Sequence, residues 1–257
     1  MPHVEVNGAR LWVEEAGDGP PVVLVHGGLG DSRLWDQQFA PFAEHFRTIR
    51  YDHRFFGRSE RPGGPYLLVD DLLGLLDALR LERTALVGLS LGGRVAIDAA
   101  LAAPERVWAL VPVCSGLTGM DADPYTPRQD AELEAALDAG DLDRAADIEL
   151  AVWARLGATD ELRALLLDNV AGPPADATPS RRPEPAAPRL GELRVPTLVV
   201  TGEQDVPEIE VVGDTLEREI PGARRVRIDS DHYLPIRQPE TFNRVVLDFL
   251  AAVAPDR

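Results

Sequence analysis

The sequence predicts an α/β domain: a mostly parallel sheet with helices on both faces, its two halves separated by a helical insertion. Three observations predict it. Short apolar runs of strand length alternate with longer segments whose apolar residues recur at helical spacing, the pattern of successive βαβ units. Runs such as Pro21–Val25 are apolar throughout rather than alternating, as strands are when helices cover both faces of a sheet. The rhythm stops after Cys114 and returns at Leu193, with helix-prone sequence between.

His3–Val6 and Leu11–Glu15 alternate apolar and polar residues around Asn7-Gly8, a strong two-residue hairpin signal. Pro21–Val25, Thr48–Tyr51, Ala85–Val87 and Val107–Val113 follow as strands, with helices predicted over Leu67–Leu81 and Leu91–Ala103, and His45 placed on a helix before Thr48. From Arg128 to about Val170 the helix-prone stretch carries Leu133, Leu137, Leu142, Ile148, Val152, Leu156, Leu162 and Leu166 as core-facing candidates, with breaks at Gly140 and Gly157. The proline-rich stretch 171–188 reads as loop. Pro196–Thr201 and Ala223–Ile228 are then strands, Glu208–Glu219 and Glu240–Val253 helices. The division expected is a core of 1–116, an insertion of 117–190, and the rest of the core over 191–257.

Composition narrows function. All 26 basic residues are arginine, against 43 acidic residues, a net charge of −17. Without lysine there is no Schiff base, no Ser–Lys dyad and no phosphate-cradling P-loop lysine. The acidic balance argues against nucleic acid, whose backbone it would repel. The single cysteine, Cys114, permits neither an internal disulfide nor a cysteine-rich zinc site. No apolar run is long enough to span a membrane, and the N-terminus lacks a signal-peptide layout, so no membrane partner and a cytoplasmic setting are expected. No sequence feature sets an oligomeric state.

Gly88-Leu-Ser-Leu-Gly92 joins a predicted strand to a predicted helix, the context in which G-x-S-x-G forms a nucleophile elbow. Ser90 would stand above the sheet at a helix N-terminus, where developing negative charge is favoured. A serine hydroxyl is a weak nucleophile and needs a base that a third group orients. Of His3, His26, His45, His53 and His232, the last follows the final strand, and loops after parallel strands gather at the edge where the elbow opens. Asp205, just after the Pro196–Thr201 strand, is the orienting acid, ahead of Glu203, Asp229 and Asp231. Oxyanion donors are expected from the backbone N–H groups of Leu91 and of Gly28, in the loop Val25-His-Gly-Gly-Leu-Gly30. That loop lacks the G-K-[ST] and G-x-G-x-x-G signatures of phosphate cradles. Asp229, Asp231 and His232 have no evident fourth donor and HExxH is absent, so neither metal nor other cofactor is implied.

With these motifs in place the chain resembles the α/β-hydrolase fold enzymes over roughly 3–115 and 190–255. The likeness rests on His26-Gly27-Gly28, on Asp52-His-Arg-Phe-Phe-Gly-Arg-Ser59, on the elbow with Gly93, on Gly202-Glu-Gln-Asp205 and on Asp231-His232. It implies an eight-stranded sheet of order 1-2-4-3-5-6-7-8 and a helical cap between the sixth and seventh strands. Two departures stand out. Phe55 replaces a glycine usual after Asp52, either narrowing the pocket mouth or packing beneath the cap. Asp231 replaces the glycine usual before the histidine, either tuning His232 or facing solvent.

Ser90 excludes the aspartate nucleophile of haloalkane dehalogenases and epoxide hydrolases. Carboxylesterase or lactonase chemistry through an acyl-enzyme fits best. The same triad also admits a cofactor-free perhydrolase or haloperoxidase-like activity, or carbon–carbon bond hydrolysis, and a receptor retaining the triad with little turnover is the non-enzymatic alternative. Leu29, Phe55, Tyr125, Trp153 and Tyr233 are the candidate pocket residues. The net charge, with no unmatched arginine pair in the core motifs, points to a small neutral, largely apolar ester or lactone. The arginines of the insertion, Arg128, Arg144, Arg155 and Arg163, are the positions from which a carboxylate could be bound.

Overall fold

A computed structural model describes residues 2–120, 124–181 and 183–255. The hairpin β1 (His3–Val6) and β2 (Ala9–Ala16) turns on Asn7 and Gly8, both at positive φ, as a type I′ turn requires. β3 (Pro21–Val25), α1 (Asp36–Ala43), β4 (Arg47–Tyr51), a short β5 (Gly64–Tyr66), α2 (Leu68–Ala78), β6 (Thr84–Leu89), α3 (Leu91–Ala102) and β7 (Val107–Val113) follow. Three helices come next, α4 (Pro127–Asp138), α5 (Leu142–Trp153) and α6 (Asp160–Leu167), then a short β8 (Ala177–Pro179). The chain closes with β9 (Leu198–Gly202), α7 (Pro207–Glu219), β10 (Arg224–Ile228), the single turn α8 (Leu234–Arg237) and α9 (Pro239–Val253).

The main sheet has eight strands in the order β1-β2-β4-β3-β6-β7-β9-β10. β2 is antiparallel to β1 and β4, and the remaining pairs are parallel. Counted within this sheet, the order is the 1-2-4-3-5-6-7-8 expected. Successive residues of the apolar strands feed opposite layers: Leu24, Val87 and Val111 pack with Trp35, Phe42 and Phe242, whereas Val23, Val25, Leu86 and Leu110 pack with Leu72, Ile97 and Leu216. Burial on both faces explains the continuous apolar runs. The parallel strands all end at one edge, and the loops there carry the candidate residues.

The helices α4–α6 contribute no strand to the main sheet, and two hydrogen-bonded seams fasten them to it. At the end of α6, Asn169 donates to Asp31 Oδ2 at 3.0 Å and accepts from the Gly57 N–H at 2.8 Å. Burial alone would raise the Asp31 carboxyl, but hydrogen bonds from Arg33 and Asn169 outweigh it and hold the group at about 2. Between α5 and α6, the Leu156 N–H donates to Asp231 Oδ2 at 3.0 Å, and Arg237 donates both to that carboxylate and to the Gly157 carbonyl.

Three sequence expectations are corrected. The proline-rich stretch is not all loop: β8 pairs in parallel with β5, and a 3₁₀ segment covers Ala187–Glu192. Prolines are compatible with both short strands because each has only one partner and so an unpaired side. His45 lies beyond the end of α1 rather than on a helix. Leu137 and Leu156 are 39% and 46% exposed, on the outer side of the helical segment, while Ile148, Val152, Leu162 and Leu166 are buried as expected.

Candidate active site

Ser90 occupies the turn from β6 into α3 at φ 54°, ψ −114°, a left-handed conformation unfavourable for a residue with a side chain. Neighbouring glycines make the turn possible. A Cβ on Gly88 would collide with the Gly92 carbonyl, and one on Gly92 with the Val25 carbonyl, so α3 starts hard against the ends of β6 and β3. The strained backbone is anchored: the Ser90 N–H donates to the Val113 carbonyl at 2.9 Å, and its carbonyl accepts from Arg94 at 3.0 Å.

Asp205 and His232 come from the loops after β9 and β10. The Glu203 N–H donates to the Ile228 carbonyl and the Gln204 N–H to the Ser230 carbonyl, each at 2.9 Å, so the two loops run side by side. Asp205 Oδ1 accepts from the Val206 N–H at 2.7 Å, and Oδ2 lies 2.8 Å from His232 Nδ1. A carboxylate can only accept, so Nδ1 donates in this contact, and the lone pair of the neutral ring is then on Nε2. The competing acids are elsewhere: Glu203 and Asp229 are exposed, and Asp231 is fully buried but bonded to Arg237, Leu156 and Tyr233. Asp231 therefore neither contacts His232 through its carboxylate nor faces solvent; it fastens the loop between α5 and α6.

One cavity of about 180 Å³ is lined by Gly28, Leu29, Ser90, Leu91, Tyr125, Glu149, Trp153, His232 and Tyr233. It brings together all the candidate residues except Asp205, which lies behind His232, and Phe55. Phe55 is 1% exposed, at φ 80°, its ring edge-on to Tyr66 with centroids 4.7 Å apart. It packs against this β5 residue and is not among the residues that line the cavity. Gly28 and Leu91 sit side by side: a Cβ on Gly28 would meet the Leu91 side chain at 3.7 Å.

Glu149 is the lining residue that sequence reasoning missed. It is 5% exposed, and its carboxylate accepts from the Tyr125 hydroxyl, which in turn accepts from Trp153 Nε1 at 2.6 Å. Burial pushes the Glu149 carboxyl up, against the lowering effect of hydrogen bonds from Tyr125 and Trp153. The signal available was spacing: Glu149 is four residues before Trp153 on α5, hence on the same face, amid apolar Ala145, Ala146, Ile148 and Val152. The Trp153 ring lies against His232, with centroids 4.3 Å apart.

Two other histidines, His26 and His53, are fully buried. His26 Nε2 accepts from the His53 N–H at 2.8 Å, which leaves Nδ1 to donate to the Gly27 carbonyl at 2.7 Å and shape the glycine loop. Burial lowers both the His26 and His53 imidazoles, keeping them neutral. Asp52 accepts from the Ser32 and Arg58 N–H groups, and Arg54 forms a buried pair with Asp71 at 2.7 Å, so this motif braces the loops beneath the site. Among the described residues one group has donor atoms close enough to suggest a metal: Cys114, Asp205 and His232, within 4.8 Å of one another. Burial pushes the Cys114 thiol well up, and Asp205 and His232 Nδ1 already satisfy one another, so the chemistry of the trio does not suit a thiolate metal site.

Comparison with known proteins agrees with this architecture. The family model described as alpha/beta hydrolase fold matches residues 20–171. The chain is 28% identical over 267 residues to "Putative carbamate hydrolase RutD" of Azorhizobium caulinodans, covering 98% of this chain and 99% of that one. It is 39% identical over 138 residues to rhodomycin D methylesterase DauP of a Streptomyces species, a match of 49% of this chain and 44% of that protein. The enol-lactonase of Burkholderia xenovorans LB400 superposes with a TM-score of 0.80 at 26% identity, covering 97% of this chain and 100% of that one. The chain belongs to the α/β-hydrolase fold family and is a hydrolase.

Proposed function

We propose that this protein is a serine hydrolase that cleaves a small carboxylic ester or lactone through an acyl-enzyme on Ser90. The observation that carries the reading is the 2.8 Å contact between His232 Nδ1 and Asp205 in a site whose cavity His232 shares with Ser90. With Nδ1 committed to Asp205, Nε2 is the base that takes the Ser90 proton as Oγ attacks the acyl carbonyl. Asp205 stabilises the imidazolium and holds the productive tautomer. The oxyanion is met by the N–H groups of Leu91, at the start of α3, and of Gly28. Collapse of the tetrahedral intermediate expels the alcohol, which receives the proton from His232, and water then repeats the sequence to release the acid.

The similar proteins reported above are named for a carbamate, a methyl ester and an enol-lactone, and each of these groups offers an acyl carbonyl to a nucleophile, which supports acyl attack here. We assign residues 117–190 to a cap that covers the site, supplying Tyr125, Glu149 and Trp153 to the pocket. A cavity of about 180 Å³ lies below the roughly 300–1,000 Å³ of sites for drug-sized ligands, so a short acyl or alkoxy group fits without cap movement. Rapid mixing with p-nitrophenyl acetate tests the acyl-enzyme. A burst of nitrophenol stoichiometric with enzyme, followed by slower turnover, is expected. Turnover that is linear from the first millisecond and insensitive to Asp205→Asn would contradict the triad mechanism.

A further inference from the structure

We infer that Glu149, with the aromatic rings around it, makes this pocket selective for acyl substrates that carry a cationic ammonium group. The inference rests on the Ser90 reading and concerns which substrates that site accepts. Three aromatic side chains, Tyr125, Trp153 and Tyr233, line the cavity together with one carboxylate, and no arginine of the described residues does. Aromatic faces attract cations through their quadrupoles, and rings grouped about a carboxylate are the arrangement that recognises ammonium groups.

The arginines that might have reversed this charge preference are committed elsewhere. Arg128 and Arg144 pair with Glu132, and Arg163 with Asp143 and Asp147, all outside the cavity, while Arg155 is exposed. A carboxylate on the substrate would meet the Glu149 carboxylate in a poorly solvated space and be rejected. An ammonium would complete a charge pair and restore the ionised form that burial disfavours. A purely structural Glu149 would only hold Tyr125 and Trp153 in place; its loss would then slow every substrate alike.

The experiment compares acetylcholine with its uncharged carbon isostere, 3,3-dimethylbutyl acetate, and glycine methyl ester at pH 6.5 with methyl propanoate. Wild type should prefer the cationic member of at least one pair by about 10- to 100-fold in kcat/KM, the size of a charge-assisted contact. Glu149→Gln, which keeps an acceptor for the Tyr125 hydroxyl, should bring that ratio close to one. Tyr125→Phe, which keeps the carboxylate, should preserve the preference. No preference in either pair, or an unchanged ratio in Glu149→Gln, overturns the inference. A readout independent of turnover is protection against a fluorophosphonate: tetramethylammonium should slow labelling of wild type and not of Glu149→Gln, and absence of protection in wild type equally overturns it. A protein that no fluorophosphonate labels would instead refute the Ser90 reading.

Discussion

Ser90, Asp205 and His232 lie 115 and 27 residues apart in sequence and reach one edge of the sheet because each follows a parallel strand. That logic was available from the sequence: G-x-S-x-G between a strand and a helix, then an acid and a histidine after the next qualifying strands. The choice among acids rested on position more than on residue type, and the structure separates the candidates by their contacts. Asp205 touches His232, whereas Asp231 serves Arg237 and two backbone N–H groups. The two aspartates should therefore fail differently. Asp205→Asn should lower kcat by about 10⁴ with little change in melting temperature, because the imidazole adopts the wrong tautomer. Asp231→Asn should cost far less turnover and more stability. A reversal of these two costs, measured by steady-state kinetics and thermal melts, would assign the orienting role to Asp231. Glu149 and Phe55 were the residues hardest to place. A glutamate within a helical segment rich in acids reads as a solvated face until its i+4 neighbour is known to point inward. A phenylalanine at a glycine position reads equally as a pocket wall or as packing beneath the cap until its contact with Tyr66 is known.

Among the elements, the strands and flanking helices were the most legible, since burial on both faces leaves uninterrupted apolar runs. The helical segment was read less well because its amphipathic faces divide among three surroundings: the main core, a small cluster of Ala136, Ala145 and Val170, and the site cavity. Periodicity alone does not say which of these a leucine meets, and Leu137 and Leu156 meet none. The pairing of β8 with β5 had no sequence signal, being made by backbone groups in a proline-rich stretch. How α4–α6 are held follows from the Asp231–Arg237 seam. Arg237 binds a fully buried carboxylate and also the Gly157 carbonyl, so Arg237→Ala leaves Asp231 without its cation. Removing one partner of a buried pair typically costs about 3–5 kcal/mol, and partial exposure of Arg237 places this case toward the lower figure. Limited proteolysis should then cut first within the α5–α6 loop, at Arg155 with trypsin, and KM should rise with the loosened pocket wall. Unchanged cleavage kinetics and KM would show that the helices are held without this seam.

For the molecule as a whole, charge is the dominant property. A net charge of −17 repels anions from the surface, and Glu149 lines the cavity that holds Ser90 and His232. Two effects of different range are thus superposed. The surface field acts on encounter and is screened as the Debye length shortens from about 30 Å at 0.01 M salt to about 10 Å at 0.1 M. The contact with Glu149 lies inside the protein and is screened little. For an anionic ester and its neutral analogue, kcat/KM of the anion should rise with salt while remaining below that of the neutral ester. An anion preferred at low salt, with the preference fading as salt is added, would point to an arginine turned into the pocket and would contradict the charge assignment.

If Ser90 is the sole nucleophile, reaction with a fluorophosphonate followed by intact mass spectrometry shows it. One adduct per chain is predicted, mapping to the peptide that contains Ser90, with labelling abolished in Ser90→Ala and strongly slowed in Asp205→Asn. Labelling of Ser90→Ala at the wild-type rate would instead place the nucleophile on another residue.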